Sequence, residues 1–233
     1  MDSSVFRNFI QRVIDGAVDS VCDDLRANPA LATMSSSVGA SRNVSTPFFF
    51  VAIKHYLYAG DTALHMAAAA FSRPMAEILV VHGADHSARN RRGAQPLHYA
   101  ADTNRWDPTS QADVIAYLLS IGSDAGAVDK SGVAPLHRAV RTRSEPAVRA
   151  LLDGGANPRQ PNRAGSTPLH LAVQTTGRGG AGTNEARLQQ AAIIRLLLER
   201  GARPTDPDLQ GRQVYQCARA EWIQSLLNEA KVK

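Results

Sequence analysis

Apolar residues recur along this chain at helical spacing, in short blocks that each end at a glycine or proline. Phe6, Phe9, Ile10, Val13 and Ile14 fall on one helical face, Val18, Val21, Cys22 and Leu25 on another, and Asn28-Pro29 stops the second run. Thr33 to Thr46 is rich in Ser, Gly and Asn and predicts a loop. Pro47 to Ile53 is too apolar to be left in water; pattern alone leaves it between a strand and a short helix that covers the next unit. Beyond it, four apolar helices run into glycine stops: Ile78-Leu79-Val80 before Gly83-Ala84-Asp85, Leu118-Leu119 before Gly122-Ser123-Asp124, Leu151-Leu152 before Gly155-Ala156-Asn157, and Leu196-Leu197-Leu198 before Gly201-Ala202.

A second signature keeps phase with these stops. Asp61-Thr62-Ala63-Leu64-His65-Met66-Ala67, Ala94-Gln95-Pro96-Leu97-His98-Tyr99-Ala100, Val133-Ala134-Pro135-Leu136-His137-Arg138-Ala139 and Ser166-Thr167-Pro168-Leu169-His170-Leu171-Ala172 are versions of one segment, with histidines 33, 39 and 33 residues apart. A glycine stands five residues before each histidine (Gly60, Gly93, Gly132, Gly165), where a turn must open the next unit. Proline in the first helical turn loses no hydrogen bond, threonine ahead of it suits a cap, and Leu and Ala line the face toward neighbouring units.

These motifs resemble the ankyrin-repeat family, whose unit is about 33 residues long and carries Thr-Pro-Leu-His-x-Ala. The resemblance implies an all-α ankyrin-repeat solenoid of stacked helix-turn-helix units with short hairpin-like turns, stable through stacking. Four full repeats are expected at about 57–89, 90–128, 129–161 and 162–207, with 1–56 as a degenerate N-terminal cap plus loop and covering segment, and 211–233 as a degenerate C-terminal cap. Relative to the family pattern, Ala63 replaces proline, Gln95 and Ala134 replace threonine, and the Gly-His turn between paired helices is absent. The second repeat carries about six extra residues around Arg105 to Thr109 and the fourth about 13 between its helices, near 177–189.

Composition narrows the functional classes. Aromatic content is 6%, which favours closely packed small helices over a β-sandwich. The two cysteines, Cys22 and Cys217, stand far apart with no ligand partner nearby, as in a reducing cytosolic setting. No run approaches a membrane span, the start lacks a secretory apolar core, and Asn43-Val44-Ser45 therefore has no expected consequence as a glycosylation acceptor. Net charge is +5, and lysine occurs only at positions 54, 130, 231 and 233, so arginine carries the positive charge. That bias fits either an acidic partner or a GC-rich, bacterial genome.

Each apparent chemical motif has a plainer reading in the repeat register. Equivalent histidines lie about one helix-packing distance apart, roughly 8–10 Å, whereas zinc holds nitrogen at about 2 Å; the resemblance makes them structural, bonded to turn backbone. His82 and His86 are spaced as metal ligands on a helix, but Gly83-Ala84-Asp85 between them is the helix stop. Gly177-Arg178-Gly179-Gly180-Ala181-Gly182 satisfies G-x-G-x-x-G but follows a helix and lacks the P-loop lysine, so it reads as an insertion. No catalytic residue, cofactor or metal is expected.

In the family, partners contact the turn tips and the exposed side of the inner helices. Carried over by position, the tips are Tyr58 and Ala59, Arg91 and Arg92, Lys130 and Ser131, and Arg163 and Ala164; next come Asp61, Ala94, Val133 and Ser166, then Ala69, Asp102, Arg141 and Gln174. The expected contact set is Tyr58, Asp61, Arg91, Arg92, Asp102, Lys130, Arg141, Arg163 and Gln174. The tips read aromatic, doubly basic, basic, basic. The expectation is a monomeric, non-catalytic module that binds an acidic protein surface, with nucleic-acid binding and action as an effector on a target-cell protein as alternatives.

Overall fold

The structure, a computed structural model, describes residues 3–102, 107–174 and 183–229. Two layers of antiparallel helices stack along one axis. The inner layer runs α1 (Ser3–Asp15), α4 (Ala63–Ala69), α6 (Pro96–Ala100), α8 (Pro135–Thr142), α10 (Pro168–Ala172) and α12 (Val214–Cys217), each packed on the next. The outer layer runs α5 (Arg73–Val81), α7 (Pro108–Ser120), α9 (Glu145–Asp153), α11 (Asn184–Glu199) and α13 (Glu221–Glu229). Helices α2 (Val18–Ala27) and α3 (Ala30–Thr33) cover the N-terminal end. One continuous core of Leu, Ile, Val and many Ala side chains fills the space between the layers, and alanine lets the short inner helices approach closely.

Residues 46–56, ambiguous in pattern, are both turn and strand. Single 3-10 turns at Thr46–Phe48 and Val51–Ile53 flank an antiparallel pair, β1 (Phe49–Phe50) with β2 (His55–Tyr56), in register Phe49 to Tyr56. Phe50, Ile53 and Leu57 are buried, which explains the apolar run.

The glycines behave as their positions require. The stop glycines Gly83, Gly122, Gly155 and Gly201 have φ between 90° and 96°, the left-handed value of a helix end. At the tips, Gly132 has φ 70°, and a Cβ there would lie 2.6 Å from the Arg163 backbone nitrogen. That contact belongs to a ladder in which each tip donates a backbone N–H to the tip before it: Gly60 to Ser36 (2.7 Å), Arg91 to Ala59 (2.8 Å), Lys130 to Arg92 (2.9 Å), Arg163 to Ser131 (3.2 Å) and Leu209 to Ala164 (3.2 Å). The polar segment after α3 thus supplies the first rung.

Paired helices close in two ways. In repeats one and three, Phe71 (φ 55°) and Arg143 (φ 61°) take the left-handed conformation usually left to glycine, and the next N–H bonds back to Ala67 or Ala139. In repeats two and four, a buried glutamine of the outer helix caps the inner one: Gln111 Nε2 donates to the Ala100 carbonyl (2.9 Å) and Gln190 Nε2 to Ala172 (2.6 Å). Asp107 and Thr183 accept the capping N–H bonds of α7 and α11, which run 13 and 16 residues against nine for α5 and α9. The described parts of both insertions therefore lengthen outer helices. The Gly177–Gly182 motif lies outside the described residues.

Candidate functional site

Each motif histidine is buried and joins two repeats. His65, His98, His137 and His170 donate from Nε2 to the carbonyls of Ala94, Val133, Ser166 and Arg212 in the following turn, at 3.1–3.3 Å. Nδ1 accepts the backbone N–H of Thr62, Gln95, Ala134 and Thr167 at 3.1–3.2 Å. Thr62 and Thr167 stand at the helix N-caps and also direct their hydroxyls to the histidine (2.9 Å), the third residue of the helix, so threonine and histidine close the cap together. Gln95 and Ala134 keep the backbone half of this arrangement, which is why threonine is dispensable there. Burial pushes His65, His98 and His137 below the ordinary histidine range, His98 to about 3, so these rings are neutral. His82 and His86 diverge, His82 Nδ1 bonding the Ile78 carbonyl (2.8 Å) and His86 Nδ1 meeting Ser123 Oγ (3.3 Å).

One of the expected contact residues serves the interior, and another is engaged within the groove. Asp61 is fully buried and accepts hydrogen bonds from Tyr99 Oη (2.8 Å to each oxygen), Asn90 Nδ2 (2.8 Å) and the Tyr58 N–H (2.6 Å), so it is not a surface contact. The next inner helix offers Tyr99, whose hydroxyl meets it. Asp102 binds the Arg138 guanidinium (2.6 Å) and, more loosely, Arg141 (3.4 Å). Ala69 and Ala94 are also buried.

Arg138 marks a feature that the pattern hid. It occupies the motif position held elsewhere by Met66, Tyr99 and Leu171, and a charge at that position was the available signal. Its guanidinium is paired with Asp102 and with Asp129 (2.9 Å); burial opposes the charge, but the two carboxylates outweigh it and hold its pKa above the ordinary value. Asp129 is shifted down despite partial burial by Arg138 and the N–H groups of Val133 and Ser131. This pair and Tyr99 floor a polar groove of 220 Å³, bordered by His55, Tyr58, Arg92 and Arg141. Burial lowers the His55 pKa, and its ring meets Tyr99 at a tilt of 44° with the centroids 4.4 Å apart.

The remaining tip residues face outward. Arg92 and Arg91 bracket the half-buried Tyr58 ring, their guanidinium carbons 5.0 and 5.8 Å from its centroid, and Arg91 also donates to the Ala40 carbonyl. Lys130 and Arg163 are exposed and have no ion-pair partner among the described residues. Arg141 and Gln174 are exposed farther along the inner helices, bordering a small 90 Å³ recess.

A stack of helix pairs joined by histidines and a turn ladder, presenting variable tips, is a repeat scaffold for recognition. Residues 108–208 match the family model for ankyrin repeats (3 copies) and residues 59–91 that for a single ankyrin repeat, together more than half of the chain. The chain belongs to the ankyrin-repeat family, whose repeats are protein–protein interaction modules. Among curated proteins it is similar to Ankyrin repeat and SOCS box protein 6 of Homo sapiens and of Pongo abelii, 32% identical to each over 156 residues. Those matches cover 62% of this chain and 36% of each relative. No helix among the described residues is long and apolar enough to cross a membrane.

Proposed function

We propose that this chain binds an acidic segment of a partner protein along the basic tips, without catalysing a reaction on it. The observation that carries the reading is the pair of neighbouring tips at Lys130 and Arg163, exposed and without a carboxylate partner among the described residues, on turns that the backbone ladder holds in fixed order. Pre-ordered charges lose little entropy on binding and speed encounter with an opposite charge. Arg91 and Arg92 continue the row, but their hold on Tyr58 and Ala40 makes their replacement a structural change as well.

The test is therefore Lys130→Glu with Arg163→Glu, compared with Arg149→Glu and Arg195→Glu on the outer helices. Proteins captured from native cells would be quantified by mass spectrometry, with a photo-crosslinker at Ser131 to map the contacted peptide. At least one protein should be lost tenfold or more in the tip variant alone, with its crosslinked peptide acidic. Equal capture by both variants, or crosslinks to neutral or basic peptides, would overturn the reading.

A further inference from the structure

A second cavity, 310 Å³, opens on the outer side of Tyr58, between the loop after α3, the end of β2 and the second tip. Its walls hold three arginines, Arg42, Arg91 and Arg92, with Tyr56 and Tyr58, and none of its lining residues is a carboxylate. Ser41 and Ser45 add hydroxyls. The adjoining polar groove shares Tyr58 and Arg92, yet there Arg138 is already neutralised by Asp102 and Asp129. Three guanidiniums in one recess without a counter-charge repel one another, and an anion is what would relieve them.

The recess is built rather than accidental. Ser41 and Val44 close a hydrogen-bonded turn (Ser41 N–H to the Val44 carbonyl, 2.8 Å; Val44 N–H to Ser41 Oγ, 3.1 Å) that carries Arg42. Ala40 is tied to Leu57 through its N–H (2.8 Å) and to Arg91 through its carbonyl. The Tyr58 ring holds both guanidiniums by cation–π contact, a contact with their flat faces that does not consume N–H groups; of these, one on Arg91 is spent on the Ala40 carbonyl.

We propose that this recess receives the phosphate monoester of a phosphorylated residue in a partner protein. A phosphate carries close to two charges and three acceptor oxygens, so it matches three guanidiniums and two hydroxyls better than a single carboxylate does. Tyr56 and Tyr58 supply a surface for the carbon portion of the phosphorylated side chain. The proposal deepens the basic-tip reading, because Arg91 and Arg92 begin that row, but it uses Arg42 and Tyr56, which the row does not include.

The test titrates the full chain with short glycine-flanked peptides carrying phosphotyrosine, phosphoserine or glutamate at the centre, with inorganic phosphate and a single-stranded oligonucleotide as further probes. Binding is read by calorimetry and by the phosphorus-31 shift. A phosphopeptide should bind at one site at least tenfold more tightly than the glutamate peptide, and the stronger of the two phosphopeptides identifies the residue type read. Arg42→Ala with Arg92→Ala should weaken it tenfold or more, with the melting temperature recorded because Arg92 also holds Tyr58, whereas Lys130→Ala with Arg163→Ala should leave it within twofold. If the double Arg42/Arg92 variant melts lower, Arg42→Ala alone, on an exposed loop, must still weaken binding threefold or more. No saturable phosphopeptide binding, equal binding of the glutamate peptide, tighter binding of inorganic phosphate or of the oligonucleotide, or indifference to Arg42 would overturn it. Because Lys130 and Arg163 are altered separately, failure here is distinguishable from failure of the tip row.

Discussion

Repeats two and three contrast with repeat four at the residue between the motif histidine and alanine. Tyr99 and Arg138 fill it in the former and the half-buried Leu171 in the latter. The polar choice draws in partners from neighbouring units: Asp61 of repeat one for Tyr99, and Asp102 of repeat two for Arg138. The third-to-fourth junction keeps the histidine bond and the turn ladder, and its ion pairs, Arg159 to Asp206 and Arg200 to Asp153, involve exposed arginines, which contribute little. A solenoid is stabilised by the sum of its units and junctions. The N-terminal junctions thus add a buried polar term with strict geometry, and the polar groove stands on it.

The most severe way to break that asymmetry is Asp61→Ala. Tyr99 Oη and Asn90 Nδ2 lose their buried acceptor, and a loss of about 3 kcal/mol is expected, since each unsatisfied buried group costs about 1–3 kcal/mol. Ser166→Ala, in the same register of repeat four, should change stability by less than about 0.5 kcal/mol. Urea melts of the two variants check this; equal losses would mean that the Asp61 network adds nothing beyond packing.

Acid should act on the same junctions with a smaller effect. His98 titrates near 6.5 in the unfolded chain but at about 3 when folded. A lowered folded pKa means that the stability is complete above the unfolded value and falls with pH, because only the unfolded chain takes up the proton. At about 1.4 kcal/mol per pH unit, His98 alone accounts for about 2 kcal/mol between pH 7 and 5. The C-terminal unit shows a replacement that does not titrate: Gln216 Oε1 accepts the Gln213 N–H at 2.8 Å, as a motif histidine would. His98→Gln should therefore flatten the pH dependence of the melting midpoint over that range by about this amount. An unchanged slope would show that His98 takes up its proton equally in the folded and unfolded chains.

The features legible in the sequence are those where backbone geometry dictates residue type. Glycines at stops and tips, proline in the first helical turn and the histidine joining two turns recur because few residue types satisfy the same φ values or bonds at so small a cost. The exposed tips Arg92, Lys130 and Arg163 followed from register alone. What escaped was contact between segments without a period: Arg42 and Tyr56 meet the second tip only because the polar loop folds back along the first turn, with Ala40 bonded 51 residues away. Asp61 was misplaced for a related reason, since the side chains that bond it, Asn90 and Tyr99, belong to the next repeat.

The closing turns offer the mildest test of how the two kinds of repeat differ. Repeat three closes through Arg143 at φ 61°, without the glycine that such a turn favours, and a non-glycine residue there costs about 1 kcal/mol. Repeat two instead inserts residues and caps its inner helix with Gln111, which also accepts from Ser144 Oγ of repeat three at 2.6 Å. Arg143→Gly should relieve the strain but raise unfolded-chain entropy, for a net gain of no more than about 0.5 kcal/mol. Gln111→Ala should cost about 1 kcal/mol by leaving the Ala100 carbonyl and Ser144 without partners. Opposite signs in paired denaturation curves would show that repeat three carries strain at its turn while repeat two has replaced the turn with a side chain. A loss from Arg143→Gly would mean instead that the half-buried arginine stem contributes more through packing than its backbone conformation costs.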